Sequence, residues 1–237
     1  MDAGGTLICA ALTTSSTTDV WTPGTGTVEI TGTTTLPLAR ITTFNNLTIT
    51  GGTTTLGVAL TVTNLTISSG ATLNTSASDY SLTLNGNFSN SGTFTANGSA
   101  IIITGTAAQS IAGFATTGTL SMTKTGGTAT FAGNVNGGGL TINGSGGTLS
   151  LGAGLTHAFT GTWTRTAGTL DGGSSTLNLG GTVSGTGGSF TAGTGTVNYN
   201  AAGAQTIAPV AYNNLVFSGS GAKSMATGSS VAGNLSI

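Results

Sequence analysis

Apolar residues recur along this chain as pairs separated by one residue, and the pairs themselves recur at a nearly constant interval. They begin at Val28, Leu47, Leu65, Leu82, Ile101, Leu120, Leu140, Leu177, Val197, Leu215 and Leu235. Their partners are Ile30, Ile49, Ile67, Leu84, Ile103, Met122, Ile142, Leu179, Tyr199, Phe217 and Ile237. Phe159 fills the one double gap, and Leu7 with Cys9 extends the series backwards. The mean spacing is (235 − 28)/11, or 18.8 residues. The residue between the two is mostly Thr, Ser or Asn, the alternation of a strand with one face in and one face out. A second apolar signal follows at Leu36, Leu56, Leu73, Ile111, Phe131, Leu149, Ile207 and Met225. Each period therefore holds at least two short strands, divided by Gly, Asn and Ser turns.

A period this short is too small for a propeller blade and fits one turn of a β-solenoid, in which each coil pairs its backbone with the coils above and below. The reading is all-β: a parallel β-helix of about 13 coils of about 19 residues, forming one domain over residues 1–237. At ~4.8 Å of rise per coil the rod would be about 60 Å long. The expected core stack is Leu47, Ile49, Leu65, Ile67, Leu82, Leu84, Ile101, Ile103, Leu140, Ile142, Leu215 and Phe217. Asn46 and Asn64 occupy equivalent places one coil apart, as do Asn214 and Asn234, and are expected to form amide ladders along the turns.

A longer repeat lies over the coil. WTPGTGTVEITG from Trp21, FTANGSAIIITG from Phe94 and FTAGTGTVNYNA from Phe190 are variants of one phrase, at offsets of 73 and 96 residues. FNNLTITGG from Phe44 and YNNLVFSGS from Tyr212 are another pair. At 18.8 residues per coil the offsets are close to four and five coils, which divides the chain into units of approximately 1–67, 68–142 and 143–237. Residues 147–166 read as an inserted coil. The final NLSI followed by the opening MDAGGTL would resemble the internal junction NLTI–SSGATL. No amphipathic helix or charged strand caps the series, and Leu7, Leu235 and Ile237 are expected at exposed coil edges. Head-to-tail stacking of identical chains satisfies such edges, as does a longer solenoid of which this is an excerpt, and the filament is the preferred reading.

Composition narrows the class. Only 4% of the 237 residues are charged, against about 25% in an ordinary soluble domain, while there are 42 Gly and 52 Thr. The 37% of apolar residues, regularly placed, argue against disorder. A net charge of −1 supplies no field for nucleic acid or anionic lipid. No apolar run is long enough for a membrane helix, and residues 7–12 read as a strand rather than a signal peptide. The single cysteine, Cys9, can make no internal disulfide and reads as a buried strand thiol.

The coil length, the Leu-x-Ile/Leu pairs and the Thr/Asn/Gly-rich, charge-poor writing resemble bacterial secreted β-strand-repeat proteins, the filamentous-haemagglutinin-like and autotransporter adhesins. The resemblance covers nearly the whole chain and lies in style rather than in one motif. It implies a right-handed parallel β-helix, secretion, and a structural or adhesive role at the cell surface. A partner would be the chain itself or a surface glycan.

Candidate chemistry is sparse. The acids Asp2, Asp19, Glu29, Asp79 and Asp171 and the bases Arg40, Lys124, Arg165 and Lys223 are scattered, so neither an enzyme site nor a metal or other cofactor site is expected. His157, Trp163 and Arg165 lie close together and read as an outward-facing surface, with a ligand patch as the alternative. A glycan-binding surface would expose aromatics, for which Trp163 and Tyr212 are the candidates. Sequons occur at Asn46, Asn64, Asn74, Asn87, Asn97, Asn143 and Asn234. An ice-binding face would need Thr at one outward position in successive coils. The series Thr48, Thr66, Thr83, Ile102, Ser121, Thr141, Ser150 is interrupted, which ranks that role below the other two.

Overall fold

The structure is a computed structural model and describes residues 4–13, 21–36 and 40–237. Asp2 and Asp19 lie outside the described residues. Among the described residues there is no helix, and every strand pairing is parallel. The chain winds as a parallel β-solenoid of about 11 turns.

Each turn contributes three short strands, and like strands stack into three faces. The first face runs through Thr6–Cys9, Thr27–Ile30 and the later halves of Thr43–Ile49 and Leu60–Ile67. It continues through Phe88–Asn90, Gln109–Ile111 and Thr128–Phe131. The second face starts with the earlier halves of Thr43–Ile49 and Leu60–Ile67 and goes on through Leu82–Leu84, Ile101–Ile103 and Thr119–Met122. The third runs from Thr34–Leu36 through Thr53–Leu56 and Thr72–Asn74 to Thr93–Thr95, then from Phe114–Ala115 to Leu235–Ser236. The hydrogen bond from Thr117 N to Asn97 O (2.8 Å) joins the two runs. Longer strands such as Gly139–Ser150 turn a corner, pairing with Thr119–Met122 by one half and Thr128–Phe131 by the other.

Period-two alternation is why these strands form. The apolar member of each pair points inward onto its counterpart one coil away, and the Thr, Ser or Asn between faces water. Leu47, Leu65, Leu82, Ile101, Leu120, Leu140 and Leu215 are all at most 1% exposed.

The coil count differs from the sequence reading by a traceable error. The apolar-x-apolar series does not stay on one face. Leu65 pairs not with Leu82 but with Phe88, while Leu82 pairs with Leu60. Leu140 pairs with Trp163, not Phe159, and Trp163 pairs with Val183 rather than Leu177. The series falls short of the true partner by six residues at Leu82 (88 − 82), four at Phe159 (163 − 159) and six at Leu177 (183 − 177). Followed by register, a full turn takes 18 to 23 residues, as in Leu47 to Leu65 and Leu65 to Phe88. That is why about 11 longer turns replace about 13 shorter ones.

The same jumps reposition the recurring phrases. In FNNLTI, Phe44 is on the second face and Leu47 on the first. In YNNLVF, Tyr212 belongs to Ala211–Tyr212, and Leu215 stacks on the third face with Val197 and Leu177. The two copies therefore sit on different corners. The repeat advances by an unequal number of strands rather than by whole coils.

Candidate functional site

The candidate site is the pair of end coils. Among the described residues the large apolar side chains left exposed are Leu7 (37%), Ile8 (62%), Met225 (45%), Leu235 (51%) and Ile237 (95%), and these five lie on the first or last turn. Orientation does not explain most of this. Leu7 occupies the same inward column as Val28 and Leu47, which are 1% and 0% exposed. Leu235 shares a column with Leu215, Val197 and Leu177, all at most 4% exposed. Met225 stacks on Ile207, which is fully buried. These residues are built as core and lack a coil beyond them among the described residues. Ile8 instead faces outward, opposite Glu29. Cys9 pairs in register with Ile30 and is half-buried, and burial pushes its thiol pKa up.

The turn amides behave as hydrogen-bonded ladders. Asn64 Nδ2 donates to Asn46 Oδ1 (2.9 Å), Asn87 N donates to Asn64 Oδ1 (3.0 Å), and Ser110 N donates to Asn87 Oδ1 (2.9 Å). Between Asn214 and Asn234 the link is backbone to side chain: Asn234 N donates to Asn214 Oδ1 (3.1 Å). A further ladder unmarked in the sequence reading joins Asn198 Nδ2 to Asn178 Oδ1 (2.9 Å).

The interior holds polar groups that sequence reasoning missed. His157, Trp163 and Arg165 do not form a surface: they are 0%, 0% and 7% exposed. His157 Nε2 donates to Leu151 O (2.9 Å) while Nδ1 accepts the Val135 N–H (3.1 Å), which fixes the neutral ring. Its ring packs on Phe131 at 5.1 Å, and desolvation drives its pKa below 6.5. Tyr212 is also buried, its hydroxyl 2.8 Å from that of Tyr199 and donating to Ala208 O. Neither proposed glycan-stacking aromatic is accessible, because both sit at inward positions of the alternation.

Lys124 is buried with its ammonium satisfied by Ala107 O (2.8 Å), Gln109 Oε1 (2.8 Å) and Thr104 O (3.5 Å). Gln109 in turn donates to Leu84 O and Gly86 O. Gln205 repeats this at Leu179 O and Gly181 O, both 2.8 Å, and Lys223 caps Ala201 O at 2.7 Å. These side chains close the corner loops of a neighbouring coil. The signal was present: Gln109 alternates with Ile111, Gln205 with Ile207, His157 with Phe159 and Arg165 with Trp163, all inward by period.

The described carboxylates cap turns. Asp79 accepts the Gly98 N–H (2.7 Å), Asp171 accepts the Ser150 hydroxyl (2.8 Å) and Glu29 the Thr50 hydroxyl (3.0 Å). Among the described residues no three His, Cys, Asp or Glu side chains converge.

Each face carries its own series of outward residues. The interrupted series mixes faces: Thr48 and Thr66 lie on the first, Thr83, Ile102, Ser121 and Thr141 on the second. The third face instead carries Thr53 over Thr72 over Thr93, and beside them Thr35, Thr55, Asn74 and Thr95 in register. No family model, curated protein or solved structure matches this chain.

Proposed function

We propose that the chain is a structural protein of the cell exterior that associates with itself through its end coils, stacking head to tail into a filament or surface fibre. The observation that carries this reading is the exposure of Leu7, Met225 and Leu235 on the terminal turns, each stacked in register on a residue, Val28, Ile207 or Leu215, that is at most 1% exposed. An unpaired parallel edge with apolar side chains is a template for another coil. A chain with 4% charged residues has little repulsion to oppose the approach. Placement outside the cell rests on the resemblance to secreted β-strand-repeat proteins.

Sedimentation velocity over a range of concentrations tests it, on the parent and on a variant carrying Ile8→Lys and Leu235→Lys. The parent should grow to large species and the variant should remain monomeric. A parent that stays monomeric at every concentration sinks the proposal and favours a segment of a longer solenoid.

A second reading is favoured by the third face. Threonines two residues apart on successive coils form a flat, uncharged grid, with ~4.8 Å between coils and about 6.7 Å along each strand. Such a grid suits an ordered lattice, ice above all, whereas a glycan platform would need the aromatics that are buried. Inhibition of ice recrystallisation by the parent, lost in Thr55→Tyr/Thr72→Tyr, would bring this reading forward.

A further inference from the structure

Arg165 is a charge in the core without a counter-charge. It points inward from the second face beside Ile142 and is 7% exposed. Among the described residues its one acceptor is the Gly188 carbonyl, 3.3 Å from Nη2, although a guanidinium carries several N–H donors. No carboxylate meets it among the described residues. Lys124 shows what a satisfied buried cation looks like here, with three acceptors around one ammonium.

The indole beside Arg165 adds another donor. The indole of Trp163 lies with its ring centroid 5.5 Å from the guanidinium carbon, and its Nε1–H is buried without a partner. The phenol hydrogens nearby are committed: Tyr212 donates to Ala208 O, which leaves Tyr199 to donate to Tyr212. The coil above supplies no side chain in the place next to Arg165. Thr164 pairs with Ser184, so Arg165 lies under Gly185, and Gly187 and Gly188 follow in the same loop. These glycines lie close over the backbone of the coil below, where an added Cβ would meet Arg165 O, Thr166 O or Gly168 O, and they place no side chain beside the guanidinium.

We infer that this part of the core binds one small monovalent anion of the halide class, held by the Arg165 guanidinium and the Trp163 indole N–H beneath the glycine loop. A buried cation with unmet donors costs several kcal/mol unless a counter-ion or water satisfies it. The side chains of Trp163 and Ile142 beside it supply no acceptors, so the ion neutralises the charge as well as filling the donors.

The test is thermal unfolding in sodium fluoride, chloride and bromide at matched ionic strength. A protein with four Lys and Arg and five Asp and Glu has few surface charges to screen, so an ion-specific effect stands clear of general salt effects. Above the dissociation constant, chloride and bromide should raise the melting temperature by about 3–5 °C per tenfold concentration, and fluoride less. Arg165→Met should abolish the difference. Trp163→Phe, which keeps a ring and removes the N–H, should weaken it and serves if Arg165→Met fails to fold. Solvent-ordering effects of the salts act on parent and variants alike and cancel in the comparison. Bromide-soaked crystals should show one anomalous peak beside Arg165. Identical melting in all three halides, with water in the density at that place, would overturn the inference.

Discussion

Replacing Ile103 by Asp tests the inward register most sharply, because its neighbour Ile102 is a built-in control. Ile103 is 0% exposed and lies between Leu84 and Met122 of the adjacent coils, themselves fully buried. Removing a buried Ile side chain costs about 2–5 kcal/mol in transfer and cavity terms. A carboxyl in its place finds no partner in this column and adds about 1–3 kcal/mol even after taking up a proton. The total, about 3–8 kcal/mol, is most of the ~5–15 kcal/mol that holds a typical domain together. Ile102 is half-buried on the outer surface between Thr83 and Ser121, so Ile102→Asp should change stability by less than about 1 kcal/mol. Urea unfolding followed by far-ultraviolet circular dichroism reads both. An Ile103→Asp protein unfolding at the parent's midpoint, or an Ile102→Asp protein falling further, would show that the alternation is reversed.

Three other predictions follow from the buried polar groups and the close coil contacts. His157 is held neutral with a lowered pKa, so the unfolded chain binds its proton first as pH falls. Stability should therefore be complete above about pH 6.5 and decline below it by up to ~1.4 kcal/mol per pH unit, and His157→Gln should flatten that limb of a melting-temperature profile. Lys124→Met leaves the acceptors Ala107 O and Gln109 Oε1 unmet and should cost about 1–3 kcal/mol, with Gln109→Leu/Lys124→Met less damaging than the sum of the single changes in a double-mutant cycle. A Cβ at Gly138 would stand 2.0 Å from Thr117 O, against 3.6 Å from the nearest atom at Gly126, so Gly138→Ala should melt well below the parent and Gly126→Ala near it.

The fold was legible because strand alternation and the coil interval are both written in apolar spacing. Leu47 over Leu65 and Leu82 over Ile101 are direct consequences of it. The path between them was not legible. All three faces use apolar-x-apolar pairs, so after Leu65 the eye finds Leu82 and Leu84 before Phe88, and only backbone pairing distinguishes a 17-residue step from a 23-residue one. The interior polar residues hid for a different reason. His157, Arg165 and Lys124 are types that normally face water, and hydropathy outweighed the period that put the first two inward. Their burial is possible because corner carbonyls and neighbouring side chains supply partners that no linear pattern shows, such as Leu151 O for His157 and Gln109 for Lys124.

Axial stacking of end coils is the central claim, and electron microscopy of the purified chain in dilute physiological buffer tests it most directly. About 11 turns at ~4.8 Å each give a rod of about 50 Å. The account predicts unbranched filaments one rod wide with an axial repeat near that length, abolished by Ile8→Lys/Leu235→Lys. Separate rods about 50 Å long at every concentration, identical for parent and variant, would contradict it.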